Sequence, residues 1–144
     1  MIAVADTSGV LAMFNRADPE HRQTAAAADA CGLLVISPFT LTEVHQVATI
    51  RADRRAADAI ITIVAARAEQ TRVLIPATPA RLLRTALAVR RRYEDLDLDL
   101  ADAVTVALAA EYRTDIVLTL DRRDFRVVRP LTGQEAFRLL PDDL

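Results

Sequence analysis

Four separated carboxylates, Asp6, Glu43, Asp102 and Asp121, have the residue type and the settings for chemistry. Asp6 ends the apolar run "IAVAD" and is followed by Thr7, Ser8 and Gly9, which also makes it a good helix N-cap. Asp121 ends "DIVLTLD" (115–121) in the same way, ahead of Arg122, Arg123 and Asp124, where it could equally cap a turn. Glu43 lies in "SPFTLTEVHQV", and Thr40-x-x-Glu43 fits a capping box. Asp102 carries the most information. It stands near the start of an Ala- and Val-rich stretch, 103–110, that is apolar nearly all round and must be buried on most sides. Removing an ionised carboxylate from water costs several kcal/mol unless something compensates it, and no basic residue on that stretch is placed to do so. If the four acids converge, their mutual repulsion raises some pKa values and calls for a cation among them. With oxygen ligands only, that cation is hard: Mg²⁺ first, Mn²⁺ second. Such a site polarises a phosphoryl oxygen, activates water and steadies a leaving oxygen, which suits phosphodiester hydrolysis. His21 and His45 have no partner at metal-ligand spacing and stay outside the set.

Convergence depends on the elements that carry these residues. Short apolar runs without helical period, "IAVAD", "LLVIS" (33–37), "RVLIP" (72–76) and "DIVLTLD", read as buried strands, and "FRVVRP" (125–130) as a short edge strand. Between them lie helices: "VLAMFNR", a stretch restarted by Asp18-Pro19 with proline at its first position, a helical hairpin over 39–70, a helix from Thr78-Pro79 to Tyr93, and one over 100–112. Asp95 and Asp97 read as an extended, solvated lead-in to the last of these, and Asp99 as its cap. Alternation of this kind predicts an α/β protein, a three-layer α/β/α sandwich around a mostly parallel sheet, over 1–144 as one domain. In such sheets the working crevice lies at the carboxyl ends of the strands, where Asp6 and Asp121 fall.

Composition narrows the chemistry further. All 18 basic residues are arginine, which removes Walker-type phosphate loops, Schiff-base enzymes and lysine general bases together. The three glycines are scattered, so no glycine-rich phosphate cradle can be built. A formal charge of -2 calls for no polyanionic partner, so any basic footprint must be local. One cysteine, Cys31, reads as a small buried residue, and neither a leader nor a membrane span is apparent, which leads us to expect a soluble cytoplasmic protein.

In order along the chain, "VADTSGVLAMF", "VISPFTLTEV", "LADAVTVALAAEY" and "VLTLDRRDF" resemble the four acidic motifs of PIN-domain ribonucleases, specifically the VapC-type toxins of type II toxin–antitoxin pairs. The resemblance covers nearly the whole chain, and no motif residue departs from the pattern. It implies that Asp6, Glu43, Asp102 and Asp121 form the acidic quartet, that Asp6, Asp102 and Asp121 serve the metal, and that Ser8 is a polar helper. Asp99 and Asp124 lie beside the quartet and are not assigned to it. The resemblance further implies RNA cleavage with Mg²⁺ or Mn²⁺, leaving a 5'-phosphate and a 3'-hydroxyl. It also implies a homodimer, and a small VapB-type antitoxin that assembles with the toxin into a heterotetramer or larger complex. For holding RNA the candidates are Arg122 and Arg123, then Arg90, Arg91 and Arg92 beside Tyr93, because arginine contacts phosphates and tyrosine stacks on unpaired bases. Arg54-Arg55 reads as a solvated helix face. An apolar groove near "VLAMF" would suit the antitoxin tail. Receiver-type domains and haloacid-type phosphatases also set acids at strand ends, but both require a lysine. The alternatives that stay open are a non-catalytic interaction module of the same fold and a PIN-like nuclease outside any toxin–antitoxin pair.

Overall fold

Strand β1 (Ile2–Ala5) lies in the middle of a five-stranded sheet in the computed structural model, which describes residues 1–144. The order is β3 (Val73–Leu74), β2 (Leu33–Val35), β1, β4 (Ile116–Leu118), β5 (Arg138–Leu140), and every neighbouring pair is parallel. The chain builds outward from β1 to one side first and then returns to its other flank. The order therefore reverses between β1 and β4, which opens a crevice at their carboxyl ends.

Side-chain alternation along the strands creates the layers. Val4, Val35, Val117 and Leu139 face one core, covered by α5 (Ala80–Arg92) and α6 (Leu100–Glu111). Ala3, Ala5, Leu34, Ile116, Leu118 and Leu140 face the other, covered by α1 (Thr7–Phe14), α2 (His21–Ala30), α3 (Pro38–Arg51) and α4 (Arg54–Glu69). This is the expected α/β/α sandwich. Helix α6 is the most deeply set, with every residue from Ala103 to Ala109 buried, as a sequence apolar but for Thr105 requires, and the Thr105 hydroxyl is answered by the Ala101 carbonyl at 3.1 Å.

The departures have local causes. "FRVVRP" is not a strand: Arg122–Phe125 forms a one-turn helix, α7, and Phe125 and Val128 turn into the core beside Phe137. The edge strand is supplied instead by β5, whose short apolar run pairs with β4. Pro19 does not open α2, which starts at His21; the Asp18 carboxylate accepts the Glu20 N–H at 2.8 Å in a turn ahead of it. Thr40 does not cap α3, because Pro38 already occupies the first turn and the Ser37 hydroxyl accepts the N–H of Phe39 at 3.0 Å. Glu43 accordingly stands a turn further in, and the buried Thr40 hydroxyl has no hydrogen-bond partner. Asp95 lies in a 3₁₀ turn, Glu94–Leu96, and Asp97 follows in the left-handed region at φ 52°, so this lead-in is folded and not extended.

The start of α1 presses on the end of β4. A Cβ at Gly9 would lie 2.2 Å from the Leu118 carbonyl oxygen, a backbone atom that cannot step aside. Gly9→Ala is expected to cost about 3 kcal/mol and to lower the melting temperature on the order of 10 °C, read by calorimetry. An unchanged melting temperature would contradict the close approach.

Candidate functional site

At the carboxyl ends of β1 and β4, Asp6 is 3% exposed, and both oxygens of its carboxylate are engaged. One accepts the Gly9 N–H at 2.9 Å and the Ser8 hydroxyl at 2.9 Å, and the other accepts the Thr119 hydroxyl at 2.6 Å. The N-cap expected of Asp6 is therefore present, and it serves a larger network. The Ser8 hydroxyl accepts the Leu120 N–H at 2.9 Å, and the Thr119 hydroxyl accepts the Asp121 N–H at 2.9 Å. The turn carrying Asp121 is thereby tied to the carboxylate ending β1. Asp121 in turn caps α7, accepting the Asp124 N–H at 3.3 Å.

Asp102 arrives from α6 as the third residue of the helix, half-buried, with its own N–H donated to the Asp99 carboxylate at 2.8 Å. The cap at Asp99 is thus as expected. Glu43 reaches the same place from α3. All four expected acids, together with Ser8, line one cavity of about 310 Å³, joined by Asp18 and Asp99. The tightest group within the site is not the expected one. Carboxylate oxygens of Asp102, Asp121 and Asp124 lie within 4.8 Å of one another, and Asp6 and Glu43 stand outside that trio.

The charges are in conflict with their surroundings. Burial pushes Asp6 up from 3.8 to about 6, against the opposing pull of its hydrogen bonds from Thr119, Gly9 and Ser8. Burial also pushes Asp102 up from 3.8 to about 8, helped by repulsion from Asp99, Asp6 and Asp121. Asp124 is raised as well, by burial and then by Asp121. Carboxylates gathered this way, with oxygen donors only, fit a hard divalent cation: its charge would relieve the repulsion and its ligand preference matches the donors.

Two residues of this network were given no role by the sequence. Thr119 is buried, and its signal is its place two residues before Asp121 in "VLTLD". Asp124 carries a signal only once "DRRD" is read as a capped helical turn, which returns Asp124 toward Asp121. Among the arginines, Arg122 is committed internally. Its guanidinium makes a bidentate pair with Asp142, at 2.5 and 2.8 Å, and another with Glu20. Arg126 pairs with Asp143 at 2.7 and 2.9 Å, so the C-terminal segment clasps α7. Arg123 is exposed and has no ion pair. Arg91 and Arg92 are exposed, Arg90 donates to the Leu98 carbonyl at 2.7 Å, and the Tyr93 hydroxyl accepts the Arg129 N–H. His45 pairs with Asp58 at 2.7 Å across the α3–α4 hairpin, away from any metal role.

The PIN domain family model matches residues 3–130. Ribonuclease VapC26 of Mycobacterium tuberculosis (strain ATCC 25618 / H37Rv) is 32% identical over 139 residues, spanning 96% of this chain and 99% of that protein. Among solved structures, Mycobacterium tuberculosis VapC20, described as a Sarcin-Ricin loop cleaving toxin, superposes with a TM-score of 0.73 at 23% identity, covering 84% of this chain and 90% of that one. VapBC2 from Rickettsia felis, bound to a DNA fragment from its promoter, gives a TM-score of 0.66 at 14% identity, covering 91% and 96%. A toxin–antitoxin complex from Klebsiella pneumoniae gives 0.63 at 22% identity, covering 89% and 93%.

The raised carboxylates fix the sign of a pH dependence. An aspartate held above its ordinary range keeps a proton that the unfolded chain releases, so folding weakens as pH rises from the unfolded value toward the folded one. For Asp6 that window runs from 3.8 to about 6, and for Asp102 from 3.8 to about 8. Ion-paired Glu111, Asp142 and Asp143 are shifted downward from 4.5, 3.8 and 3.8 by their arginine partners, so their opposing contribution lies at the acid end, ahead of the range tested. In EDTA the melting temperature is expected to fall between about pH 5 and pH 8, and Asp102→Asn to flatten that fall and melt higher than wild type at pH 8. A wild-type melting temperature that rises across this range would contradict the assignment.

Proposed function

The chain belongs to the PIN-domain family, in its VapC branch, and on that premise we propose that it is a Mg²⁺-dependent endoribonuclease, the toxin of a type II toxin–antitoxin pair. Residues 1–144 act as one PIN domain. The observation that carries this reading is the gathering of Asp6, Glu43, Asp102 and Asp121 in one cavity, with Asp6 and Asp102 pushed far above the carboxylate range by burial.

Asp6, Asp102 and Asp121 would hold Mg²⁺, or Mn²⁺ in its place, with Asp124 close enough to Asp102 and Asp121 to assist. A divalent cation held there would supply Lewis acidity toward a phosphoryl oxygen and favour ionisation of water. The remaining work falls to the chain. Ser8 and Thr119 fix both oxygens of Asp6 and so decide which way it presents them. Glu43, on the α3 wall with no hydrogen-bond partner of its own, and Asp121, at the head of α7, orient the attacking water for in-line displacement at the scissile phosphate. RNA is held by Arg123, the free arginine following Asp121, with Arg91 and Arg92 as outlying contacts and Arg90 close to them. Arg122 supports this surface indirectly, by holding α7 in place.

The antitoxin occupies a groove of about 540 Å³ lined by Leu11 and Phe14 of α1 and by Ala48, Ala59, Ile60 and Ile63 of the α3–α4 hairpin. Its apolar lining suits a hydrophobic tail, and two structures of similar fold are toxin–antitoxin complexes. Pairing of two protomers rests on the family resemblance. No helix is long and apolar enough to cross a membrane; on the toxin reading the RNA substrate is cytoplasmic.

Purified protein incubated with unpaired RNA is expected to cleave in Mg²⁺ or Mn²⁺ and to stop in EDTA. Asp6→Asn and Asp102→Asn are expected to lose at least about a hundredfold in rate while keeping the native circular dichroism spectrum. Fragments that persist in EDTA, or wild-type rates in either variant, would overturn the reading.

A further inference from the structure

The acidic cavity and the apolar groove are continuous: Leu11, Asp18 and Arg51 line both. Arg51 is the last residue of α3 and is exposed. It is the one basic side chain on the wall of a cavity that carries six carboxylates, Asp6, Asp18, Glu43, Asp99, Asp102 and Asp121. Arg122 and Arg126 nearby are spent within the fold, Arg122 on Glu20 and Asp142 and Arg126 on Asp143, while Arg123 is free but does not line this cavity. Arg51 has no ion pair and no side-chain hydrogen bond, although Asp18 lines the same two cavities.

We propose that Arg51 is the phosphate anchor of the substrate site, binding an RNA phosphodiester adjacent to the scissile one where the cavity opens into the groove. The inference rests on the ribonuclease reading above. A polyanion approaching six carboxylates is repelled unless a cation of the protein meets it at the rim, and Arg51 is the residue so placed. Its planar guanidinium matches two phosphate oxygens at once, and a phosphate contact of this kind sets the register of the strand without reading its sequence. RNA then enters from the groove side, past the end of α3, with the base of the anchored nucleotide over Leu11 and the scissile bond over Asp6 and Asp102. The ordinary reading of an arginine in the last turn of a helix is that it answers the negative end of the helix dipole, which stabilises the fold and leaves RNA binding alone.

Salt dependence separates the two. A fluorescein-labelled, unpaired RNA oligonucleotide would be titrated by anisotropy against Asp102→Asn, which prevents cleavage, and against the same variant carrying Arg51→Ala or Arg51→Lys, each at several salt concentrations. Arg51→Ala is expected to weaken binding about tenfold at low salt and to reduce the slope of log K against log salt by about 0.7, the signature of one lost phosphate contact on a single strand. Arg51→Lys is expected to restore the slope while recovering only part of the affinity. In the otherwise wild-type protein, Arg51→Ala is expected to raise KM about tenfold and leave kcat within about twofold. An unchanged salt slope and KM in Arg51→Ala, with or without a lower melting temperature, would overturn the anchor and leave the nuclease reading standing. Absence of RNA binding by the folded Asp102→Asn protein at low salt, together with no cleavage by wild type, would sink both.

Discussion

A buried carboxylate needs every oxygen answered, and the way Asp6 is answered organises the carboxyl edge of the sheet. Its partners come from two places far apart in sequence: Gly9 and Ser8 on the first turn of α1, and Thr119 at the end of β4. Satisfying one side chain therefore fixes the seam between β1 and β4, where the strand order reverses. Gly9 must be glycine for α1 to come this close, and Thr119 must carry a hydroxyl that both donates to Asp6 and accepts from Asp121. Placement of the proposed site and folding share the same bonds here.

A second constraint acts from outside. The turn bearing Asp121 and Asp124 is only four residues of helix, too short to hold itself. Arg122 and Arg126 tie it to the C-terminal segment and to the approach of α2 through paired carboxylates. Each ion pair is partly exposed and individually worth little, but together they limit how far the turn can drift. Asp102 needs no such clasp, because α6 is sunk into the core along most of its length. The acids are thus held by unequal means, and the accumulated repulsion among them is the cost of bringing them together.

The sandwich was legible because period-two alternation and all-round apolarity survive in short stretches: Val4 and Val117 against Ala3 and Ile116, and Ala103 to Ala109. Asp6, Asp102 and Asp121 stood out as candidates because each sits at or near an element end whose type is clear from sequence, whereas Glu43 lies a turn inside α3 and joined them through the family resemblance. What stayed hidden depends on partners distant in the chain. Thr119 matters only because Asp6 is across the seam, and Asp124 only because α7 closes a turn that "FRVVRP" had suggested would extend into a strand. Arg122 looked like the best-placed RNA contact until Glu20 and Asp142, about a hundred and twenty residues apart, claimed it from both sides. Arg51 drew no notice because nothing in "VATIR" reveals that the helix ends on the rim of an acidic cavity. The β5 edge was missed for want of length, since three residues carry too little pattern.

On the proposed reading, the gathered carboxylates exist to hold a divalent cation. The most direct measurement is a Mn²⁺ titration at neutral pH followed by electron paramagnetic resonance, comparing wild type with Asp102→Asn. Wild type is expected to deplete the free-ion signal of Mn²⁺ saturably, and the depletion is expected to be lost or greatly weakened in Asp102→Asn at unchanged secondary structure. Equal depletion by the two proteins, or none by wild type, would contradict that reading.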